Sequence, residues 1–260
     1  MAGPLEGRVA LVTGAGRGIG EAIARRLSRD GAAVVVNDVD EDVARSVADS
    51  LPEAAVAVGS VADAEATDAM VAVAESELGG LDILVNNAGL TRDGAFHKMT
   101  DETWDGVVDV VLRGTMNATR SAARLMRVRD ATHNRKVVNI ASINGIYGVA
   151  FNTNYSAAKA GVVGLTKALA REWGPSRVNV NAVAPGYIRG TRLTSARDEE
   201  TGFGMPEEII PQVEASIPIG RAGEPDDVAA LVAFLASPDS DYITGQLVEI
   251  HGGLEIVRVA

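Results

Sequence analysis

The chain lacks cysteine altogether, which excludes a disulfide framework and makes the cytoplasm the expected compartment. Histidine is scarce. His97, His133 and His251 are scattered without metal-ligand spacing, so no metal is expected. No run of about twenty apolar residues occurs, and no membrane-spanning helix is expected. Met1 to Arg8 lacks a basic start followed by an apolar stretch, so a secretory signal is not expected. Positive charge is in deficit: 24 Lys and Arg stand against 35 Asp and Glu, a net −11. That balance argues against nucleic acid as a partner and offers no general attraction to an acidic carrier protein. Linkers, internal repeats and low-complexity tracts are also missing. What remains, 260 residues of which 47% are hydrophobic, suffices for one domain with a large core.

Strand-like and helix-like stretches alternate along the chain. The strand-like ones are Arg8–Thr13, Ala33–Asp38, Ala54–Gly59, Leu81–Val85, Arg135–Ala141, Val178–Val183 and Gln246–His251. Alternation of this kind predicts an α/β fold with a parallel sheet and helices on both faces. Several of these strands are continuous apolar runs, as a sheet covered on both sides requires.

The first strand leads directly into Gly14-Ala-Gly-Arg-Gly-Ile-Gly20, and a helical pattern of Ala22, Ile23, Ala24 and Leu27 follows. Strand, glycine turn and helix together make a dinucleotide site, because glycines let the backbone approach a pyrophosphate and the helix start offers free N–H groups. Gly14, Arg17, Gly18, Ile19 and Gly20 are the candidate contacts. The spacing Gly-x-x-x-Gly-x-Gly departs from Gly-x-Gly-x-x-Gly, and a purely structural turn is the alternative. Asp38 ends the second strand, where a carboxylate accepts bonds from the adenosine ribose hydroxyls and repels a 2′-phosphate. This favours NAD(H). Arg17 pulls toward NADP(H), which stays the second candidate.

Tyr155 and Lys159 stand in Tyr-Ser-Ala-Ala-Lys, one helical turn apart and on one face. A neighbouring ammonium favours the phenolate and is expected to pull the phenol down from its ordinary value of about 10. Ser142 ends the apolar run from Val137, so its hydroxyl is expected at a strand's C-terminal edge, able to hold a substrate oxygen. Ser142, Tyr155 and Lys159 are the candidate catalytic residues.

Thr13 to Gly20, Asn86-Asn-Ala-Gly89, Ser142, Tyr155 to Lys159 and Asn181-Ala-Val-Ala-Pro-Gly186 occur in this order. The set resembles the short-chain dehydrogenase/reductase family from about Leu5 to Leu254. The resemblance implies a Rossmann-type, doubly wound, seven-stranded parallel sheet and hydride transfer between a ketone and a secondary alcohol on a nicotinamide cofactor. It implies catalytic roles for Ser142, Tyr155 and Lys159, with Lys159 also gripping the nicotinamide ribose. Asn86, Asn87, Ala88 and Gly89, together with Ser60 and Val61, are expected along the adenosine side of the cofactor. Backbone beyond Pro185 and Gly186, near Ile188, is expected to meet the nicotinamide carboxamide.

Three positions depart from the family pattern. Val111 stands where many members carry an asparagine of a water-mediated proton relay, so the relay is rerouted, weakened or absent, and Asn117 lies too far along the helix to replace it. Ser60 replaces the usual aspartate ahead of Val61. Gly190 precedes Thr191, displacing the threonine expected near the cofactor. The helical stretch from Glu102 to Met126 and the tail from Gly252 resemble tetramer surfaces, which implies a homotetramer.

The stretch at about 190–218 shows few periodic signals and is expected to be a substrate lid. Selectivity is expected there and at Asn144, Tyr147, Phe151 and Tyr187. Asn87 to Asp93 and Ile217 to Pro225 are most similar to 3-oxoacyl-[acyl-carrier-protein] reductases. Arg171, with Arg127 and Arg129, is the candidate basic patch for a carrier protein, equally readable as ordinary solvated helix ends. Two other functions stay open. One is NAD-dependent dehydrogenation of a different secondary alcohol, steroid-, sugar- or hydroxyacyl-like. The other is dinucleotide binding without catalysis.

Overall fold

The computed structural model describes residues 3–128, 132–196, 198 and 204–254. Seven strands form one parallel sheet: β1 (Val9–Val12), β2 (Ala33–Asp38), β3 (Ala54–Val58), β4 (Ile83–Asn86), β5 (Arg135–Ile140), β6 (Val178–Pro185) and β7 (Leu247–Ile250). Their order is β3-β2-β1-β4-β5-β6-β7. The strands begin and end within two residues of the predicted runs. Between them lie α1 (Gly18–Arg29), α2 (Glu41–Ala48), α3 (Ala64–Leu78), α4 (Asp101–Val108), α5 (Gly114–Met126), α6 (Asn144–Tyr147), α7 (Thr153–Trp173), α8 (Ile210–Ala215) and α9 (Pro225–Ala236). Strand order reverses at β1, so the connections leaving β1 and β4 diverge and open a crevice at their C-terminal ends, where ligands of such sheets bind.

Alternation of side chains divides the core in two. Ala10, Val12, Val34, Val36 and Val138 face α1 and α9 through Ile23, Leu27, Val228 and Val232. Leu11, Val35, Leu84, Val137 and Val180 face α3, α5 and α7 through Met70, Val71, Ala122, Met126 and Trp173. All four residues of β1 are buried. Burial of each such side chain stabilises by about 1.5–3 kcal/mol, which explains why uniform apolar runs mark the central strands.

Two segments differ from expectation. The predicted helix from Glu102 to Met126 is interrupted by a π turn at Asp109–Arg113, closed by the Gly114 N–H on the Asp109 carbonyl. Thr115 Oγ1 donates to the Val111 carbonyl at 2.8 Å, and Val111 packs with Val107, Tyr155, Ala158 and Val162. π turns of this kind recur at functional sites. The stretch expected as a substrate lid, where few periodic signals were read, carries a 3-10 turn, Glu207–Ile209, and α8. Ile210, Val213 and Ile217 recur at helical spacing and, with Met205, pack against Tyr187, Ile143 and Leu254. Arg197 and residues 199–203 of that stretch lie outside the described residues.

Asp227 gives α9 a capping box: its Oδ2 accepts from Glu224 N at 2.8 Å, while both carboxylate oxygens accept from Arg221, at 2.6 and 2.8 Å. The Arg221 guanidinium and the Glu224 N–H hold the Asp227 carboxyl down from 3.8 to about 2. A depressed carboxyl contributes stability above its unfolded value and loses it as pH falls through the folded one. Asp227→Ala is therefore expected to cost about 1 kcal/mol at neutral pH, a gap that closes between pH 3.8 and about 2. Urea unfolding of both proteins across that range checks it.

Candidate active site

Thr13, the residue after β1, ties the two walls of the crevice together. Its hydroxyl donates to the Val85 carbonyl and accepts from the N–H groups of Asn87 and Ala88, at 3.0 and 3.1 Å. Asn87 Nδ2 donates back to the carbonyls of Thr13 and Gly14, both at 2.9 Å. The glycine loop is thereby pressed onto Ala88: a Cβ at Gly14, whose φ is +61°, would lie 2.9 Å from Ala88 Cα. Helix α1 then starts with Arg17 extended and no side-chain cap, which leaves the first N–H groups, near Gly18, Ile19 and Gly20, to an anion.

Asp38 closes the outer end of the loop. Its Oδ2 accepts from Gly16 N at 3.1 Å and its Oδ1 from Asp40 N at 3.2 Å. A Cβ on Gly16 would come within 2.8 Å of Asp38 Oδ2. Arg17 turns to Asp40, with Nη2 at 2.9 Å from Oδ2. A cradle emptied of side chains, an uncapped helix start and a carboxylate at its rim fit the expected dinucleotide. Thr191 reaches over the same loop, 3.8 Å from where a Gly18 Cβ would stand, so the displaced threonine still borders the crevice.

Some expected cofactor contacts face elsewhere. Asn86 is 4% exposed and donates inward to Thr119 Oγ1 and Asn139 Oδ1, so it braces the sheet and does not line the crevice. Val61 is buried against Gly114, with its carbonyl held by Asn117 Nδ2 at 3.1 Å. Ser60 Oγ accepts from Ala62 N. Asn117 thus clamps the connection after β3. Gly186 lies close against His251. Pro185 ends β6 and pairs with Ile250. Ile188 is buried and its carbonyl takes the Thr194 hydroxyl, which leaves its N–H as the group able to meet a carboxamide.

Ser142, Tyr155 and Lys159 do come together at the C-terminal end of β5. They are 9%, 8% and 3% exposed. The Ser142 hydroxyl lies close enough to the Tyr155 phenol to favour its ionised form, and Lys159 Nζ lies 5.5 Å from the phenol ring centroid. Nζ donates to the Ile140 carbonyl at 2.5 Å and sits 3.7 Å from the position of a Gly89 Cβ. A single run of contacts, Gly14 to Ala88 and Gly89 to Lys159, joins the glycine loop to the phenol.

The acidity balance corrects the expectation. Burial pushes the Tyr155 phenol up to about 12. The Ser142 hydroxyl opposes this and the Asp93 carboxylate adds to it. Burial also lowers Lys159 from 10.5 to about 8. The ammonium is adjacent as predicted, yet loss of water around the oxygen outweighs it in the free protein. At neutral pH the group is a neutral phenol beside a charged amine, the form that donates a proton.

The expected substrate positions divide. Asn144 lies beside the site, its N–H on Ser142 Oγ at 3.2 Å. Phe151 and Tyr147 are 65% and 57% exposed, the latter donating to Glu249 Oε2 at 2.8 Å. Tyr187 is buried among Ile143, Ile217 and Leu254, a packing position and not part of the rim. Of the candidate basic patch, Arg171 is exposed, Arg127 lies 3.6 Å from Glu172 and over the Trp173 ring, and Arg129 lies outside the described residues. Sequence reading missed Asp93, whose charge reaches the phenol, and Asn152 and Asn154, which tie the segment after β4 to the start of α7. A cluster of asparagines just ahead of Tyr155 was the visible signal.

A family model described as Enoyl-(Acyl carrier protein) reductase matches residues 14–255. The chain is 44% identical over 246 residues to an acetoacetyl-CoA reductase of Shinella zoogloeoides, covering 95% of this chain and 98% of that protein. It is 40% identical over 256 residues to the 3-oxoacyl-[acyl-carrier-protein] reductase FabG of Thermotoga maritima, covering 97% and 99%. Among solved structures, a short-chain dehydrogenase/reductase of Brucella melitensis described as a glucose/ribitol dehydrogenase is similar with a TM-score of 0.85 at 29% identity, covering 99% of this chain and all of that one.

Proposed function

The chain belongs to the short-chain dehydrogenase/reductase family, and on that footing we propose that this oxidoreductase reduces the ketone of a 3-oxoacyl thioester, with NAD(H) as its preferred nicotinamide. A bound nicotinamide dinucleotide supplies the hydride. The observation that carries the reading is the buried Ser142–Tyr155 hydroxyl pair with the Lys159 ammonium beside it.

Negative charge grows on a ketone oxygen as it is reduced, and two hydroxyl donors aimed at that oxygen stabilise it. Ser142 holds the oxygen and Tyr155 releases its proton to it. Lys159, protonated below about 8, offsets the negative charge left on the phenolate. Gly14, Gly18 and Gly20 would hold the pyrophosphate at the start of α1, and Asp38 would take the adenosine ribose hydroxyls. With Arg17 already paired to Asp40, the rim meets a 2′-phosphate with the Asp38 carboxylate, which supports NAD(H). The relatives named for 3-oxoacyl and acetoacetyl thioesters support the substrate class. Exposed Arg171 alone is thin support for carrier-protein docking, so the thioester itself is the recognised feature. A homotetramer is the proposed assembly, supported by the likeness of the Glu102–Met126 stretch and the tail from Gly252 to the family's tetramer surfaces.

Two outcomes are expected. With an acetoacetyl thioester and NADH, followed at the nicotinamide absorbance, Tyr155→Phe should cut kcat by about a hundredfold or more while NADH still binds. Wild-type reduction should hold below pH 8 and fall as pH rises through about 8, where Lys159 loses its charge. Unimpaired turnover by the variant would overturn the roles assigned to Tyr155 and Lys159. Separately, Asp38→Ala should shift the ratio of NADPH to NADH affinity by about tenfold in favour of NADPH, the scale of one like-charge contact at a protein surface. Fluorescence titration with each cofactor measures the ratio, and an unchanged value would remove the argument from β2.

A further inference from the structure

The segment after β4 lies against the start of α7 through three hydrogen bonds. Gly94 N donates to the Phe151 carbonyl at 2.8 Å, Asn152 Nδ2 to Asp93 Oδ1 at 2.5 Å, and Asn154 Nδ2 to the Arg92 carbonyl at 3.1 Å. Between the first two sits Phe151, a non-glycine residue at φ 66° with 65% of its surface exposed. A bulky residue in the left-handed region costs about 1–3 kcal/mol and persists only where neighbours hold it. Nothing about an exposed phenylalanine demands that conformation locally. The bonds from Gly94 and Asp93 are what fix it.

Asn152 is 5% exposed and both ends of its amide are used. Nδ2 donates to Asp93, and Oδ1 accepts from Asn144 Nδ2 at 3.2 Å. Asn144 in turn places its own N–H on Ser142 Oγ, and the Ser142 hydroxyl lies beside the Tyr155 phenol. Hydrogen bonds thus link a surface carboxylate, through Asn152 and Asn144, to the Ser142 hydroxyl beside the phenol. We propose that Asp93 is a positioning residue for the Ser142–Tyr155 pair, acting through Asn152 and Asn144. Its negative charge adds to the burial that keeps the phenol protonated.

The charge has few competitors. The π-turn side presents Val107 and Val111 to the phenol. The end of β5 presents Ser142, and the phenol's own helix presents Lys159. Asp93 is the carboxylate that adds to the upward push on the phenol. Its two contributions are separable by substitution: asparagine keeps an acceptor for Asn152 and drops the charge, while alanine removes both.

The proposal rests on the reductive reading above, so the experiment carries two kinds of readout. Wild type, Asp93→Asn and Asp93→Ala are compared for kcat, KM and pH profile with NADH and an acetoacetyl thioester, after NADH binding by fluorescence has verified the fold. In parallel, NMR of ring-labelled tyrosine follows Tyr155 with pH without need of turnover. Asp93→Ala is expected to lose about tenfold or more in kcat, the scale of a misplaced catalytic group, with NADH affinity within about twofold. Asp93→Asn should recover most of that kcat, while Tyr155 ionises at lower pH than in wild type. Wild-type kinetics in Asp93→Ala, equal damage in both variants, or an unmoved Tyr155 in Asp93→Asn would each overturn the proposal. Should the wild type reduce no ketone, the reductive reading fails, and the tyrosine titration still decides what Asp93 does to the phenol.

Discussion

A phenol and an ammonium buried side by side set the terms for the rest of this structure. Removing water raises the phenol and lowers the amine, so at neutral pH each rests in the form that serves reduction: one neutral and able to donate, the other still charged. Neither state is cheap to hold inside a protein. The surroundings compensate. Lys159 donates to the Ile140 carbonyl, the Ser142 hydroxyl lies beside the phenol, and Val107, Val111, Ala158 and Val162 form an apolar wall. Val111 is part of that dry wall, and its carbonyl is already taken by Thr115.

The parallel sheet supplies the geometry. Reversal of strand order at β1 separates the connections after β1 and β4, and Thr13 then binds the two strand ends back together. The glycine loop, Ala88, Gly89 and Lys159 consequently form one surface. Small residues, Gly14, Ala88 and Gly89, line the way from the loop to Lys159. Asp38 and the Arg17–Asp40 pair mark the far end of the same track.

Legibility in the sequence followed the range of the interaction. Apolar runs gave the strands because a doubly covered sheet buries both faces. The glycine spacing and the i, i+4 placement of Tyr155 and Lys159 are local features and were readable. The direction of the phenol's acidity was not, since it depends on burial by Val107 and Val111, over forty positions away in the chain. Asp93 with Asn152 and Arg17 with Asp40 are likewise pairings made by the fold. The conformation of Phe151 and the helix in the supposed lid escaped for the same reason: packing partners outside the segment determine both.

Alkaline ultraviolet difference titration of the free protein against its Tyr155→Phe variant tests the central claim most directly, because it reads the ionisation of this one phenol. Tyr155 is expected to stay protonated at about pH 10.5, where an ordinary tyrosine is already mostly ionised, and to ionise only toward 12. Half-ionisation at or below about pH 10 in the folded protein would contradict it.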